Sequence, residues 1–319
     1  MGFIFLLCCG DSEPQLEPVT AVAETAHSES EQAGRTLMNP DNTPVVLPPS
    51  PPNPDDISRS VNWEAYPFLN TTEGVQSLQA AFDVPQGYQR VPVAEGGFGA
   101  WLRTLPILKR KQVYSYRGEI IRNAPAVAVV PMSVGRGDIQ QCADSILRLY
   151  GEYLWAKAAV EDWGIHFTSG DLSAWKDWRS GQRFQVEGAS VTPIQTATTD
   201  DSYEQYQKWM HHAFIYAGTQ SLHHDAQEVS LNEAVSPGDF FVSPGSPGHA
   251  ILVLDVAIAE GRPPVALLGQ GFMPAQEFHV LTDTADHVQA HWFELPLAKG
   301  DYLLNPSYYG IPRTGVFRF

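Results

Sequence analysis

One stretch constrains the fold more than any other: Pro237-Gly238-Asp239-Phe240-Phe241-Val242-Ser243-Pro244-Gly245-Ser246-Pro247-Gly248-His249-Ala250-Ile251-Leu252-Val253-Leu254-Asp255. It reads as an apolar strand, a turn punctuated by Gly and Pro, and a second strand that opens on a histidine. Alternation places His249, Ile251, Val253 and Asp255 on one strand face and Ala250, Leu252 and Leu254 on the other. Both faces are mostly apolar, so the strand is expected to be buried. A histidine opening a buried strand is either a satisfied structural group or a base held on a rigid scaffold.

The rest of the chain narrows the class. The 319 residues suffice for one large domain, and 43% hydrophobic content suits a globular core. A net charge of −16 excludes the basic face that nucleic-acid binding needs. Three cysteines, Cys8, Cys9 and Cys142, cannot form a disulfide framework. The opening Met1-Gly2-Phe3-Ile4-Phe5-Leu6-Leu7-Cys8-Cys9-Gly10-Asp11-Ser12 resembles the end of a bacterial lipoprotein signal, with Cys9 (or Cys8) as the acylated residue. Its apolar run falls short of the roughly 20 residues a bilayer span needs. Residues 1–9 are therefore expected to be a signal remnant. Residues 10–60 are rich in Glu, Ser, Thr and Pro and are expected to form a disordered tether. Residues 61–319 are expected to form a single folded domain. This organisation implies lipid anchoring in the cell envelope.

Within that domain, Val113–Tyr116, Ala126–Val130, Ile165–Ser169, Val265–Gly271, Gln276–Val280, His291–Phe293 and Tyr302–Leu304 read as strands. A helix is expected after Gly137, capped by Asp138. Ile139, Cys142, Ala143, Ile146, Tyr150, Tyr153 and Leu154 lie at three- and four-residue steps, with Cys142 in the first turns. A second helix is expected over Ser202–Ala217, and the segment framed by Leu222 and Leu231 reads as a polar link. The mixed order implies an α+β fold with an antiparallel sheet and an inserted helical segment.

Cys142, His249 and Gln270 carry the chemical hypothesis. A thiol early in a helix faces the positive end of the helix dipole, which favours thiolate. A histidine on a facing sheet can take the thiol proton, and a third polar group fixes its tautomer. With a hairpin turn near Glu260-Gly261, His249 lies opposite residues 270–272, of which only Gln270 has a polar side chain. Asp255 is six residues along the strand, roughly 20 Å away. Gln140 or Gln141 is a candidate oxyanion-hole donor, and Trp163 and Trp175 are candidate substrate-binding residues. The competing reading makes Cys142 a buried core thiol. His211-His212 and His223-His224-Asp225 carry no metal motif, because adjacent helical histidines diverge; no metal or cofactor is expected. His279, His287 and His291 read as surface groups.

Two family resemblances arise at these residues. Phe98-Gly99-Ala100-Trp101-Leu102-Arg103, Asp138-Ile139-Gln140-Gln141-Cys142-Ala143-Asp144, Tyr216-Ala217-Gly218-Thr219-Gln220 and Gly248-His249-Ala250-Ile251-Leu252-Val253-Leu254-Asp255 resemble blocks of a bacterial family catalogued as domain of unknown function 4846, mostly described as lipoproteins. More distantly, the Gly238-Asp239 and Gly248-His249 hairpin is similar to that of NlpC-type and CHAP-type papain-like cysteine peptidases. That second likeness implies a papain-like core, a Cys-bearing helix packed on the sheet, and hydrolysis of an amide, with peptidoglycan peptides as the substrate class. The alternative is a non-catalytic envelope lipoprotein that binds or assembles.

Overall fold

A computed structural model of the chain describes residues 63–69, 73–188, 190–230, 233–246, 248–282, 291–295 and 315–319. Cys8, Cys9, the expected tether, His287 and the strand expected at Tyr302–Leu304 lie outside them.

The described chain is organised by one antiparallel sheet of eleven strands. In chain order these are β1 (Val75–Ser77), β2 (Gln89–Arg90), β3 (Pro106–Leu108), β4 (Ala126–Val129), β5 (Gln227–Glu228), β6 (Phe240–Ser243), β7 (His249–Ala259), β8 (Arg262–Gln270), β9 (His279–Leu281), β10 (Phe293–Glu294) and β11 (Val316–Arg318). Across the sheet they run β1-β3-β4-β9-β8-β7-β6-β11-β5, with β10 paired to β8 and β2 to β7. The helices are α1 (Leu78–Ala81), α2 (Phe98–Arg103), α3 (Cys142–Ala156), α4 (Trp175–Arg179), α5 (Tyr203–Tyr216) and α6 (Thr219–His224). None of the described helices is long and apolar enough to cross a membrane.

This corrects the expected α+β, papain-like core with an inserted helical segment. The fold is largely β, because the sheet recruits edge strands of two to four residues that are too short to show a period. The expected helical insertion also contains two antiparallel ribbons, Gly164–His166 with Leu172–Ala174 and Gln182–Glu187 with Ser190–Gln195.

The central hairpin forms because its residues are apolar on both faces. On one face of β7, Ala250, Leu252 and Leu254 join the main core with Ala143, Ile146 and Leu147 of α3. On the other, Ile251, Val253 and Val256 pack with Phe241, Leu268, Leu281 and Phe293. Leu252 pairs with Gly269 and Val253 with Leu268, and a register shift follows before Asp255 pairs with Leu267. Asp255 is fully buried. Its two oxygens accept from Arg90 Nε at 2.6 Å and Arg103 Nε at 2.9 Å. Buried charge persists where it is paired this closely.

A second buried ionic group joins α3 to α5. Arg148 Nε donates to Glu152 Oε1 at 2.6 Å, one helical turn along. The Tyr203 hydroxyl donates to the same carboxylate at 2.8 Å. The middle of the cysteine-bearing helix is thus tied to α5 by a charged, buried contact.

Candidate functional site

The site is built where the first turn of α3 meets the ends of β7 and β8. Helix α3 begins at Cys142 with Gln141 as its N-cap, three residues later than a cap at Asp138 would have set it. Asp138 Oδ1 instead accepts from the Ala275 N–H at 2.6 Å and from Gln141 Nε2 at 3.0 Å. Those bonds tie the entry loop to the chain beyond β8 and free Cys142 to be the first helical residue. The close approach depends on Gly271. A Cβ there would lie 2.3 Å from Ser145 Oγ and 2.8 Å from the Gln141 carbonyl oxygen.

A cavity of about 450 Å³ opens at this helix start. Its lining includes Asp138, Gln141, Cys142, Asp144, Thr219 and Gly248. Cys142 is only 6% exposed, yet it reaches this space. Burial pushes its thiol pKa up to about 11, and the Asp144 carboxyl adds to the rise. The backbone N–H groups of Ala250, Ala143 and Cys142 itself oppose it. The sulfur therefore sits beside the residue that follows His249, with helix-start amides turned toward it. At neutral pH burial wins over the amides, and the resting group is a thiol.

His249 and Gln270 come together as the hairpin register suggested. Histidine Nε2 and Gln270 Oε1 are 2.8 Å apart. The tautomer follows from the partners beyond. His279 Nδ1 lies 3.0 Å from the Glu277 carbonyl oxygen, which can only accept, so this nitrogen carries the proton. His279 Nε2 is then an acceptor, 3.5 Å from Gln270 Nε2. That places the glutamine amide's donor toward His279 and its oxygen toward His249. His249 must therefore donate through Nε2–H, which leaves Nδ1 with a lone pair. Burial lowers the His249 pKa, partly offset by the bond to Gln270. Phe272 meets the imidazole edge-on, with ring centroids 5.2 Å apart.

His279 corrects the expectation of a surface histidine. It is fully buried in β9, and burial brings its pKa down to about 4. The alternation in Phe278-His279-Val280-Leu281 was a strand signal, but a register with β8 is needed to put the ring beside Gln270. Asp144 was also missed as a site residue. Its spacing from Gln141 is that of a capping box, and its Oδ2 accepts from the Gln141 N–H at 3.0 Å. Its other oxygen is buried without a partner, and burial raises the carboxyl pKa to about 7.

The remaining candidates are dispersed. Gln141 lines the cavity. Gln140 is buried, its oxygen accepting from Arg148 Nη1 at 3.3 Å. Trp163 and Trp175 stand in an aromatic cluster around Trp209, at ring distances of 5.3 and 5.9 Å, away from the cavity wall. The segment framed by Leu222 and Leu231, read as a polar link, opens with the last turn of α6 (Thr219–His224), and the first residue of that helix, Thr219, forms part of the cavity wall. Thr219 Oγ1 lies 3.2 Å from both the N–H and the carbonyl oxygen of Gly245, joining α6 to the turn before His249.

Residues 78–312 match the family described as Domain of unknown function (4846). The chain belongs to that family. The match spans the whole site, from α3 through Gln270 and His279. No curated protein and no solved structure matches the chain. Within this member of the family, function has to be argued from the side chains themselves.

Proposed function

We propose that this family member is a cell-envelope lipoprotein, anchored through Cys9, that hydrolyses an amide bond with Cys142 as nucleophile, peptidoglycan peptides being the substrate class. The observation that carries the reading is the ordered chain from the Glu277 carbonyl through His279 and Gln270 to His249. It presents an unprotonated Nδ1 on the residue between Gly248, which lines the cavity, and Ala250, whose N–H faces the Cys142 sulfur. The order Cys142, His249 and a third polar residue also resembles that of the NlpC-type and CHAP-type peptidases, a distant likeness in residue order and not in fold.

In this reading His249 Nδ1 takes the thiol proton as Sγ attacks the carbonyl carbon. The carbonyl π pair moves to oxygen, where the Cys142 N–H and the Gln141 side chain stand as candidate donors. The imidazolium then protonates the amide nitrogen, the C–N bond breaks, and the amine leaves a thioester on Cys142. Water, deprotonated by His249, attacks that carbon; the C–S bond breaks and the thiol regains its proton. Gln270 holds the ring throughout, as a positioning residue.

One observation favours a second reading, a binding or assembly lipoprotein. The thiol pKa of about 11 leaves little thiolate at rest. Purified protein incubated with peptidoglycan stem peptides separates the two. Loss of amine release in Cys142→Ala and in His249→Ala, with the fold retained, supports the hydrolase. Undiminished peptide binding with no turnover in the wild type supports the binder and ends the catalytic reading.

A further inference from the structure

Among the described residues outside the cavity, a group of ligating side chains converges at the far end of α6. His166 closes one ribbon strand, His224 is the last residue of α6, and Asp225 is that helix's C-cap. Their ligand atoms all lie within 4.8 Å of one another. The His166 and His224 ring centroids are 4.4 Å apart, tilted by 60°. Both rings turn Nδ1 toward the same carboxylate oxygen, Asp225 Oδ1, with His224 at 3.1 Å and His166 closer. The other oxygen, Oδ2, accepts the His166 backbone N–H at 3.0 Å and so fixes the carboxylate's orientation.

We propose that His166, His224 and Asp225 bind a divalent transition-metal ion of the zinc class. The donor set argues for that class. Two imidazole nitrogens and one carboxylate oxygen suit zinc and its neighbours, whereas calcium and magnesium take oxygen-rich shells. Tetrahedral bonds of about 2.1 Å hold ligand atoms about 3–4 Å apart, so the observed spacing needs only side-chain rotation. The carboxylate already has the backbone partner that commonly orients metal ligands. A cation at this place also faces the carbonyl end of α6.

Two other histidines, His211 and His223, make contacts elsewhere. His211 Nε2 bonds the Arg136 carbonyl oxygen at 2.9 Å, and His223 packs its ring on Phe317 at 4.7 Å. The rule that adjacent histidines diverge holds for His223 and His224; the second imidazole comes instead from a ribbon some sixty residues upstream, His166 and Asp225 being 59 apart. The ion would clamp the ribbon to α6, a six-residue helix whose opposite end forms the cavity wall. This inference is independent of the hydrolase reading.

The test is titration of EDTA-treated full-length protein with zinc alone, followed by calorimetry and thermal unfolding, and repeated with cobalt for its ligand-field spectrum. The expected result is saturable binding of one ion, proton release and a raised Tm, with His224→Ala weakening affinity at least about tenfold. His224 has a side chain 64% exposed, so that variant keeps the fold even where His166→Ala does not. His223→Ala should bind as the wild type does. No saturable binding by the wild type, or equal affinity in His224→Ala and the wild type, overturns the proposal.

Discussion

Asp144→Asn separates the electrostatics of the cavity from its packing. Asp144 is the third residue of α3, buried, with one oxygen on the Gln141 N–H and the other unpartnered. Burial raises its pKa from 3.8 to about 7. The native state therefore holds this proton more tightly than the unfolded chain does. The resulting stability is fully present below about pH 4 and is lost as pH rises to about 7, after which nothing further changes. A shift of roughly 3 units, at about 1.4 kcal/mol each, amounts to about 4 kcal/mol. Asparagine keeps an oxygen for the Gln141 N–H but cannot ionise. Urea unfolding of both proteins should show the variant gaining about 4 kcal/mol on the wild type between pH 4 and pH 8, with the slope confined to that window. Taking the difference cancels every other titrating group. The same change removes the anion that raises the Cys142 pKa, so the pH midpoint of iodoacetamide alkylation should fall from about 11. A stability difference independent of pH, or an unmoved alkylation midpoint, would refute the account of Asp144 as a buried carboxyl coupled to the thiol.

Further expectations follow from single contacts. Gly271→Ala drives a methyl into Ser145 and the Gln141 carbonyl and should cost roughly 1–3 kcal/mol in chemical denaturation, with the Cys142 alkylation rate changed because the helix start must shift. Asp255→Ala leaves Arg90 and Arg103 facing a buried gap and should destabilise by about 3–5 kcal/mol; a Tm equal to wild type would show the clamp to be dispensable. His279→Leu breaks the chain of bonds behind Gln270 and removes a histidine whose pKa is lowered. Wild-type stability carried by that group is present above pH 6.5 and lost as pH falls toward 4, a loss the variant should not share in acid unfolding. Gln270→Leu should cut kcat of any hydrolysis about a hundredfold or more with circular dichroism unchanged, and retained kcat would remove Gln270 from the positioning role.

Much of the centre was legible before any coordinates. The two-faced apolar run after His249 dictates a buried strand, because either face exposed to water would leave large aliphatic groups unpaid for. With the turn at Glu260-Gly261, strand arithmetic set His249 opposite residues 270–272 and side-chain polarity picked out Gln270, which the structure places 2.8 Å from the imidazole. The helical spacing around Cys142 marks an amphipathic helix. Where local pattern and burial agree, residue order is enough.

The fold class was not legible. Strands such as Val75–Ser77, Gln227–Glu228 and Val316–Arg318 are two or three residues long and gain their stability from partners about thirty to ninety residues away, so no short window of sequence contains the cause. The helix start was displaced for a similar reason: Asp138 is a good local cap, but the Ala275 N–H, 137 residues away, takes its carboxylate. His279 and the His166–His224–Asp225 group tell the same story. The chain by itself determined which segments must be buried and which side chains have the bonding capacity for chemistry, since hydrophobicity and bonding capacity belong to the residue. Only the tertiary structure decided which of those side chains meet, because a hydrogen bond or a ligand set depends on distance across strands whose pairing is a property of the whole sheet.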